Sequence, residues 1–210
     1  MARDAVPYVA VGATLTLGAA LAGWVAAWPL GLLTGLVAFF FRDPERMPPP
    51  EPKAVLAPAD GKVVQVLREE HGGTRVSIFL SVFDVHINRS PVKGRVLATE
   101  YQGGKFLAAF RNEASSRNEQ NIIRILPEAV SGQTMGQVVV RQIAGAIARR
   151  IVCWTRAGDE LQAGERLGLI KFGSRVDLLL PAEARVFVSE GNRVRGGVDI
   201  VARWEEAHGP

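Results

Sequence analysis

Three side chains here have the types that acyl chemistry needs. Ser174 closes the tetrapeptide Lys171-Phe172-Gly173-Ser174, His86 lies between Val85 and Ile87, and Asp60 sits in Pro58-Ala59-Asp60-Gly61. A serine hydroxyl is a weak nucleophile until a base takes its proton; histidine is the usual base, and a carboxylate often orients its ring. Such a set could attack a carbonyl, including that of Gly173, which has no side chain to obstruct the approach and tolerates a strained turn. Taken singly, each residue has a plainer reading. Gly-Ser is a common turn pair, Pro-Ala-Asp-Gly has Asp and Gly in favoured β-turn places, and a lone histidine in an apolar run suits a partly buried strand.

The rest of the titratable inventory narrows the chemistry. His71, in Glu69-Glu70-His71-Gly72-Gly73, and His208, in the C-terminal tail, lie in polar segments that read as solvated. One credible histidine is too few for a catalytic zinc site, which takes three protein ligands, and no metal is expected. Cys153 is the single cysteine, so it makes no disulfide within the chain and fits a reducing compartment. In Ile151-Val152-Cys153-Trp154 it reads as a small buried hydrophobe.

These residues must be positioned by elements, and the chain's punctuation predicts them. Its 210 residues, 48% hydrophobic and 22% charged, suffice for one cored domain with sequence to spare. The spare part is N-terminal: from Pro7 to Phe41 the only ionisable side chain is Tyr8. The run Tyr8 to Ala27 approaches the ~20 residues of a spanning helix, Trp28-Pro29 breaks it, and Leu30 to Phe41 forms a shorter second arm. Residues 1–46 are thus expected to be hydrophobic membrane-associated helices, either a hairpin that spans or one that enters shallowly. Residues 47–53, with consecutive prolines, read as a stiff extended linker, and 54–210 as the folded domain.

Within that domain short β-like runs alternate with turns: Val63 to Leu67, Val76 to Leu80, Val138 to Ile143, Ile147 to Trp154, Leu167 to Phe172, Val176 to Leu180, Arg185 to Val188 and Val198 to Val201. Tyr101 to Phe110 reads as a loop leading into a short helix. Strand runs with frequent glycine argue for a mostly β (α+β) sandwich or barrel. Gly158 to Gly164 and Gly191 to Gly197 share a Gly-x-x-apolar-x-x-Gly frame, and Leu56 to Val63 echoes Leu179 to Val186. Such frames resemble the turns of lipoyl/biotinyl-type domains, which implies a barrel-sandwich hybrid built from two related halves.

Charge adds a partner class. The net charge is +4 and the isoelectric point near 9.6, which suits an anionic membrane surface as well as a merely solvated basic face. Aromatic residues are not interleaved with the basic ones as stacking on nucleic acid requires, so nucleic acid is not expected. Arg42, Arg46 and Lys53 follow the apolar segment and, by the positive-inside bias, place the folded domain on the cytoplasmic side of the cell membrane.

Three segments together resemble the signatures of the phosphatidylserine decarboxylase family, in its short bacterial and archaeal form. They are Pro58 to Gly61, Phe83-Asp84-Val85-His86-Ile87-Asn88-Arg89-Ser90-Pro91 and Gly168 to Arg175, supported by Asn118-Glu119, Gln142 to Gly145 and Ala148 to Ile151. The resemblance implies self-cleavage between Gly173 and Ser174, giving a β chain 1–173 and an α chain 174–210 that stay together as a heterodimer or a higher oligomer. It implies that Ser174 becomes a covalent pyruvoyl cofactor that forms a Schiff base with phosphatidylserine, releasing carbon dioxide and phosphatidylethanolamine. His86, oriented by Asp60, is then the base for cleavage and the acid for decarboxylation, and Arg89, Arg149 and Arg150 are candidates for the lipid phosphate. Longer relatives carry a second histidine where Arg89 stands, so His86 is left to serve in self-cleavage, in decarboxylation, or in both. Two other readings keep the chain whole: a non-catalytic membrane-anchored adaptor, and a membrane-tethered serine hydrolase using Ser174, His86 and Asp60.

Overall fold

The computed structural model describes residues 1–70, 72–107, 114–130, 132–146, 150–171 and 173–205. It forms two compact units, 1–45 and 46–210.

The first unit is a helical hairpin. A 3-10 turn, Arg3–Ala5, leads into α1 (Val6–Leu21), and α2 (Ala27–Phe40) returns. Gly23, at φ +69°, takes the left-handed conformation that ends α1, with its N–H on the Ala20 carbonyl at 3.0 Å and that of Trp24 on Ala19 at 2.9 Å. A glycine cap stops a helix this way because only it adopts that conformation without strain. The expected break at Trp28-Pro29 therefore moves upstream. Pro29 falls in the first turn of α2, where a missing N–H costs nothing. Gly12 and Gly31 let the arms approach: a Cβ at Gly12 would lie 2.5 Å from Thr34 Oγ1. The arms have 16 and 14 residues, and among the described residues no helix is long and apolar enough to cross a membrane. The expected continuous run from Tyr8 to Ala27 is thus divided. At ~1.5 Å per residue α1 reaches about 24 Å, short of a hydrocarbon core of roughly 30 Å.

The second unit is mostly β. Its strands are β1 (Ala54–Leu56), β2 (Gly61–Arg68), β3 (Thr74–Leu80), β4 (Ile87–Arg89), β5 (Gly94–Gln102), β6 (Gln120–Pro127) and β7 (Val138–Ile143). They continue as β8 (Ile151–Cys153), β9 (Glu160–Leu161), β10 (Arg166–Ile170), β11 (Ser174–Leu180), β12 (Ala184–Val186), β13 (Arg193–Val194) and β14 (Ile200–Trp204), with one short helix, α3 (Ala114–Arg117), before β6. An eight-stranded sheet runs β13-β2-β3-β11-β7-β6-β5-β9, and two three-stranded layers run β1-β14-β12 and β4-β10-β8. Val63, Ile78, Ile123, Val140, Val176 and Leu178 of the large sheet share one buried cluster with Val55, Leu167 and Val201 of the small layers.

The strand order occurs twice. The sheet half β13-β2-β3-β11 with its layer β1-β14-β12 matches β9-β5-β6-β7 with β4-β10-β8 strand for strand, and β11 lies against β7 where the halves meet. The Gly158/Gly164 and Gly191/Gly197 frames fall at equivalent places, before β10 and β14, with all four glycines at positive φ (97°, 78°, 94° and 72°). The other echo is corrected. Pro58-Ala59-Asp60-Gly61-Lys62-Val63 is matched by Pro91-Val92-Lys93-Gly94-Arg95-Val96, since a Cβ at Gly61 or Gly94 would lie 2.2 Å from the carbonyl oxygen of Phe79 or Leu126, on the corresponding strands β3 and β6. Leu179 to Val186 instead carries the end of β11 into β12.

Residues 47–53 do not act as a detached spacer. Arg46 pairs with Asp60 at 2.8 Å, Pro48 abuts Gly164, and Glu51 accepts hydrogen bonds from Arg203.

Candidate active site

Two chain segments meet twice. β3 ends at Leu80, which faces Ser174 at the start of β11, and the chain then runs through residues 81–85 to His86. On the other side β10 ends at Ile170, whose N–H points to the His86 carbonyl at 3.4 Å, and Ile87 faces Leu169. The segments 80–86 and 170–174 are thus tied to each other at Leu80–Ser174 and at His86–Ile170, which holds His86 and Ser174 on the same pair of segments. Phe172 lies outside the described residues. Lys171 donates its N–H to the Arg150 carbonyl at 3.1 Å, and Gly173 has φ +56°, a left-handed conformation that a side chain would strain.

Ser174 begins β11 on the face shared with Val176, Leu178 and Leu180, because alternate residues of a strand point the same way. That face is the core, and Ser174 is fully buried. Its Oγ has no hydrogen-bond partner among the described residues. Burying a hydroxyl unsatisfied is costly and rare, and Oγ is left uncommitted among the described residues.

His86 is also buried. Its Nδ1 lies 2.9 Å from the Asp84 carbonyl oxygen. A carbonyl can only accept, so the bond places the proton on Nδ1 and makes Nε2 the basic nitrogen of the neutral ring. The turn that supplies this carbonyl is itself braced. Asp84 Oδ2 accepts from the Ser81 N–H at 2.8 Å and the Ser81 hydroxyl at 2.7 Å, and Oδ1 accepts from Arg193 at 3.3 Å. The positioning role of Asp84 is not evident from residue type, although a carboxylate three residues after a serine is a recognisable turn signal.

Asp60 stands differently from expectation. Its Oδ2 accepts from Arg46 at 2.8 Å and its Oδ1 from the Gly196 N–H at 2.7 Å. Burial pushes its carboxyl above the ordinary range, against the pull of the Gly196 N–H and Arg46. The carboxylate ties the Pro58 to Gly61 turn to the Gly196 loop, while the Nδ1 of His86 is oriented by a backbone carbonyl. Arg89 departs further. It is buried, and Nη1 donates to the Gly164 carbonyl at 3.0 Å, so it braces the loop that carries Gly164. Arg150 is exposed and adjoins Lys171 through its carbonyl; Arg149 lies outside the described residues.

Two buried polar groupings flank Ser174 that composition did not reveal. On the outer face of β11, Arg175 and Asp177 pair at 2.6 Å, with Ser77 accepting from Arg175 at 2.7 Å and Ser115 donating to Asp177 at 2.8 Å. On the inner face three amides form a chain: Asn121 Nδ2 donates to Gln142 Oε1 at 2.9 Å, and Gln142 Nε2 donates to Asn88 Oδ1 at 2.8 Å.

Comparison with known proteins decides the family. A sequence model described as "Phosphatidylserine decarboxylase" matches residues 33–202. The chain belongs to the phosphatidylserine decarboxylase family. It is 50% identical over 193 residues to the phosphatidylserine decarboxylase proenzyme of Solibacter usitatus, covering 90% of this chain and 91% of that one. With the proenzymes of Burkholderia cenocepacia and Burkholderia vietnamiensis it shares 43% identity over 212 residues, covering 98% of this chain and 97% of theirs. In this phosphatidylserine decarboxylase family member the matched region contains Asp60, Asp84, His86, Asn88, Gln142, Gly173 and Ser174.

Proposed function

We propose that the chain is a proenzyme that cuts itself between Gly173 and Ser174 and, once processed, converts phosphatidylserine to phosphatidylethanolamine and carbon dioxide. The observation that carries this reading is the buried Ser174 hydroxyl, unpartnered among the described residues, next to a left-handed Gly173 and on the segment tied to His86. In this account His86 Nε2 takes the Ser174 proton, and the braced turn at Asp84 keeps the ring in its basic tautomer. Relatedness of the two sheet halves, in the manner of a barrel-sandwich hybrid, is part of the same proposal.

Ser174 fits a pyruvoyl group made in place. Scission there removes the link from β10 to β11 but leaves β11 paired on both sides, with β3 and β7, and anchored by the buried Arg175–Asp177 pair. The α chain 174–210 therefore stays attached to the β chain 1–173, and the new terminus stays in the core. When formed, the pyruvoyl group supplies a carbonyl that takes up the electron pair left by departing carbon dioxide. The chain's own part is to bury that terminus, exclude water, and hold a proton at His86. Arg150, exposed beside Lys171, and Arg149 remain the proposed phosphate ligands. Intact mass measurement with denaturing electrophoresis tests the reading: active material contains two chains, 1–173 and a blocked 174–210. Active material consisting of one chain of 22.7 kDa overturns it and favours a hydrolase.

The hairpin is proposed to sit in the cytoplasmic side of the cell membrane without crossing it. Both helices are apolar around their whole circumference, and Leu21, Val25 and Trp28 are 82%, 86% and 85% exposed, which water disfavours. A charge at mid-membrane depth costs roughly 2.5–3.5 kcal/mol on insertion scales, less where the hairpin lies shallow. Leu21→Glu with Trp28→Glu is expected to weaken flotation with anionic vesicles at least about tenfold; unchanged flotation counts against the placement.

A further inference from the structure

The chain of three amides on the inner face has a direction. Asn121 gives its N–H to Gln142, and Gln142 gives its own to Asn88. The Asn88 Oδ1 is thereby the acceptor, and its Nδ2 is a donor with no partner among the described residues. Asn88, Asn121 and Gln142 are all buried, where an amide donor is rarely left unmet.

Its surroundings say what the donor faces. Gln142 is opposite Val176, and Ser174 is two residues from Val176 along β11, so Gln142 and Ser174 share the inner face as diagonal neighbours, about 7 Å apart in an antiparallel pair. Asn88 lies in the middle of β4, two residues after His86, and bonds directly to Gln142. The terminal donor of the amide chain and the unpartnered nucleophile are therefore buried at the same end of the core.

We propose that Asn88 Nδ2 is a catalytic hydrogen-bond donor for the oxyanion formed at the Gly173 carbonyl during self-cleavage. This rests on the processing step of the function proposed above. In that step Ser174 Oγ bonds to the Gly173 carbonyl carbon while its proton passes to His86 Nε2, and the carbonyl oxygen takes the negative charge. Collapse reforms the carbonyl and breaks the bond from Gly173 carbon to Ser174 nitrogen, which leaves with the proton returned by His86. The product is an ester between Gly173 and the Ser174 oxygen. Gln142 and Asn121 hold the Asn88 amide so that its N–H, not its oxygen, meets the charge; an oriented donor of this kind is worth about 10²–10³ in rate.

The test is the rate at which newly made full-length chain converts to 1–173 and 174–210, read on denaturing gels. Asn88→Asp keeps the acceptor for Gln142 and removes the donor, and Asn88→Ala removes both. With melting temperature as the control for folding, each is expected to cleave about 100-fold or more slowly than wild type. Hydroxylamine, which cuts an accumulated ester, is expected to release no fragments from Asn88→Asp. Cleavage of folded Asn88→Asp at the wild-type rate, or rapid cutting of it by hydroxylamine, overturns the role of Asn88 and leaves self-processing intact. Absence of cleavage in the wild-type chain overturns both.

Discussion

Ser174→Ala is expected to yield a single uncleaved chain of 22.7 kDa that folds normally and shows no decarboxylation. The nucleophile and the precursor of the carbonyl are the same atom set, so one methyl group in place of CH₂OH removes both the cut and the cofactor. Losing the nucleophile of a comparable serine site costs on the order of 10⁶ in kcat, and here the cofactor is lost as well. Stability is the informative control. Ser174 Oγ makes no hydrogen bond among the described residues, so its removal strands no partner and relieves an unmet polar group; the melting temperature should hold or rise. A variant that still cuts at residue 174, or decarboxylates at the wild-type rate, would refute the assignment. A variant that unfolds would show that the hydroxyl is structural after all.

The second large effect concerns His86. His86→Ala is expected to slow self-cleavage by about 10²–10⁴, the usual contribution of a general base. Asp60→Asn should cost much less. The carboxylate of Asp60 is engaged by Arg46 and Gly196, whereas His86 Nδ1 is held by the Asp84 carbonyl, which side-chain substitution at Asp60 does not remove. Time courses of fragment appearance for the two variants, side by side, decide the point. Equal losses would restore Asp60 to the orienting role that its turn suggested.

That contrast shows where the chemistry was legible and where it was not. Ser174, His86 and Gly173 stand out in the sequence as candidates because their residue types are tied to a reaction and their segments are unusual together. Asp60 and Arg89 could not be placed, because charge type says nothing of direction. The Asp60 carboxylate turns to Arg46 and Gly196, and the Arg89 side chain turns inward to Gly164. Asp84 acts through its backbone carbonyl, which every residue possesses, and so leaves no mark in composition. Strands β5 and β6, the latter eight residues long, leave no clear strand signal, because outward-facing Arg95, Leu97 and Glu100 on the first and the mixed Gln120 to Arg124 start of the second interrupt any simple apolar run.

By itself the sequence determined the family, the mostly β class and the apolar N-terminus, and it singled out Gly173-Ser174 as the candidate junction, because these depend on short-range pattern and on rare residue combinations. It determined even the equivalent glycine turns, since positive φ and close backbone approach admit few other residues. Tertiary structure alone decided that the strand order repeats around the β7–β11 junction, and that an amide chain ends in a donor unmet among the described residues on the face of Ser174. Those facts depend on which distant segments pair and which face of a strand is covered: Leu80 meets Ser174 through the register of the large sheet, and Asn88 meets Gln142 through the packing of the β4-β10-β8 layer against it.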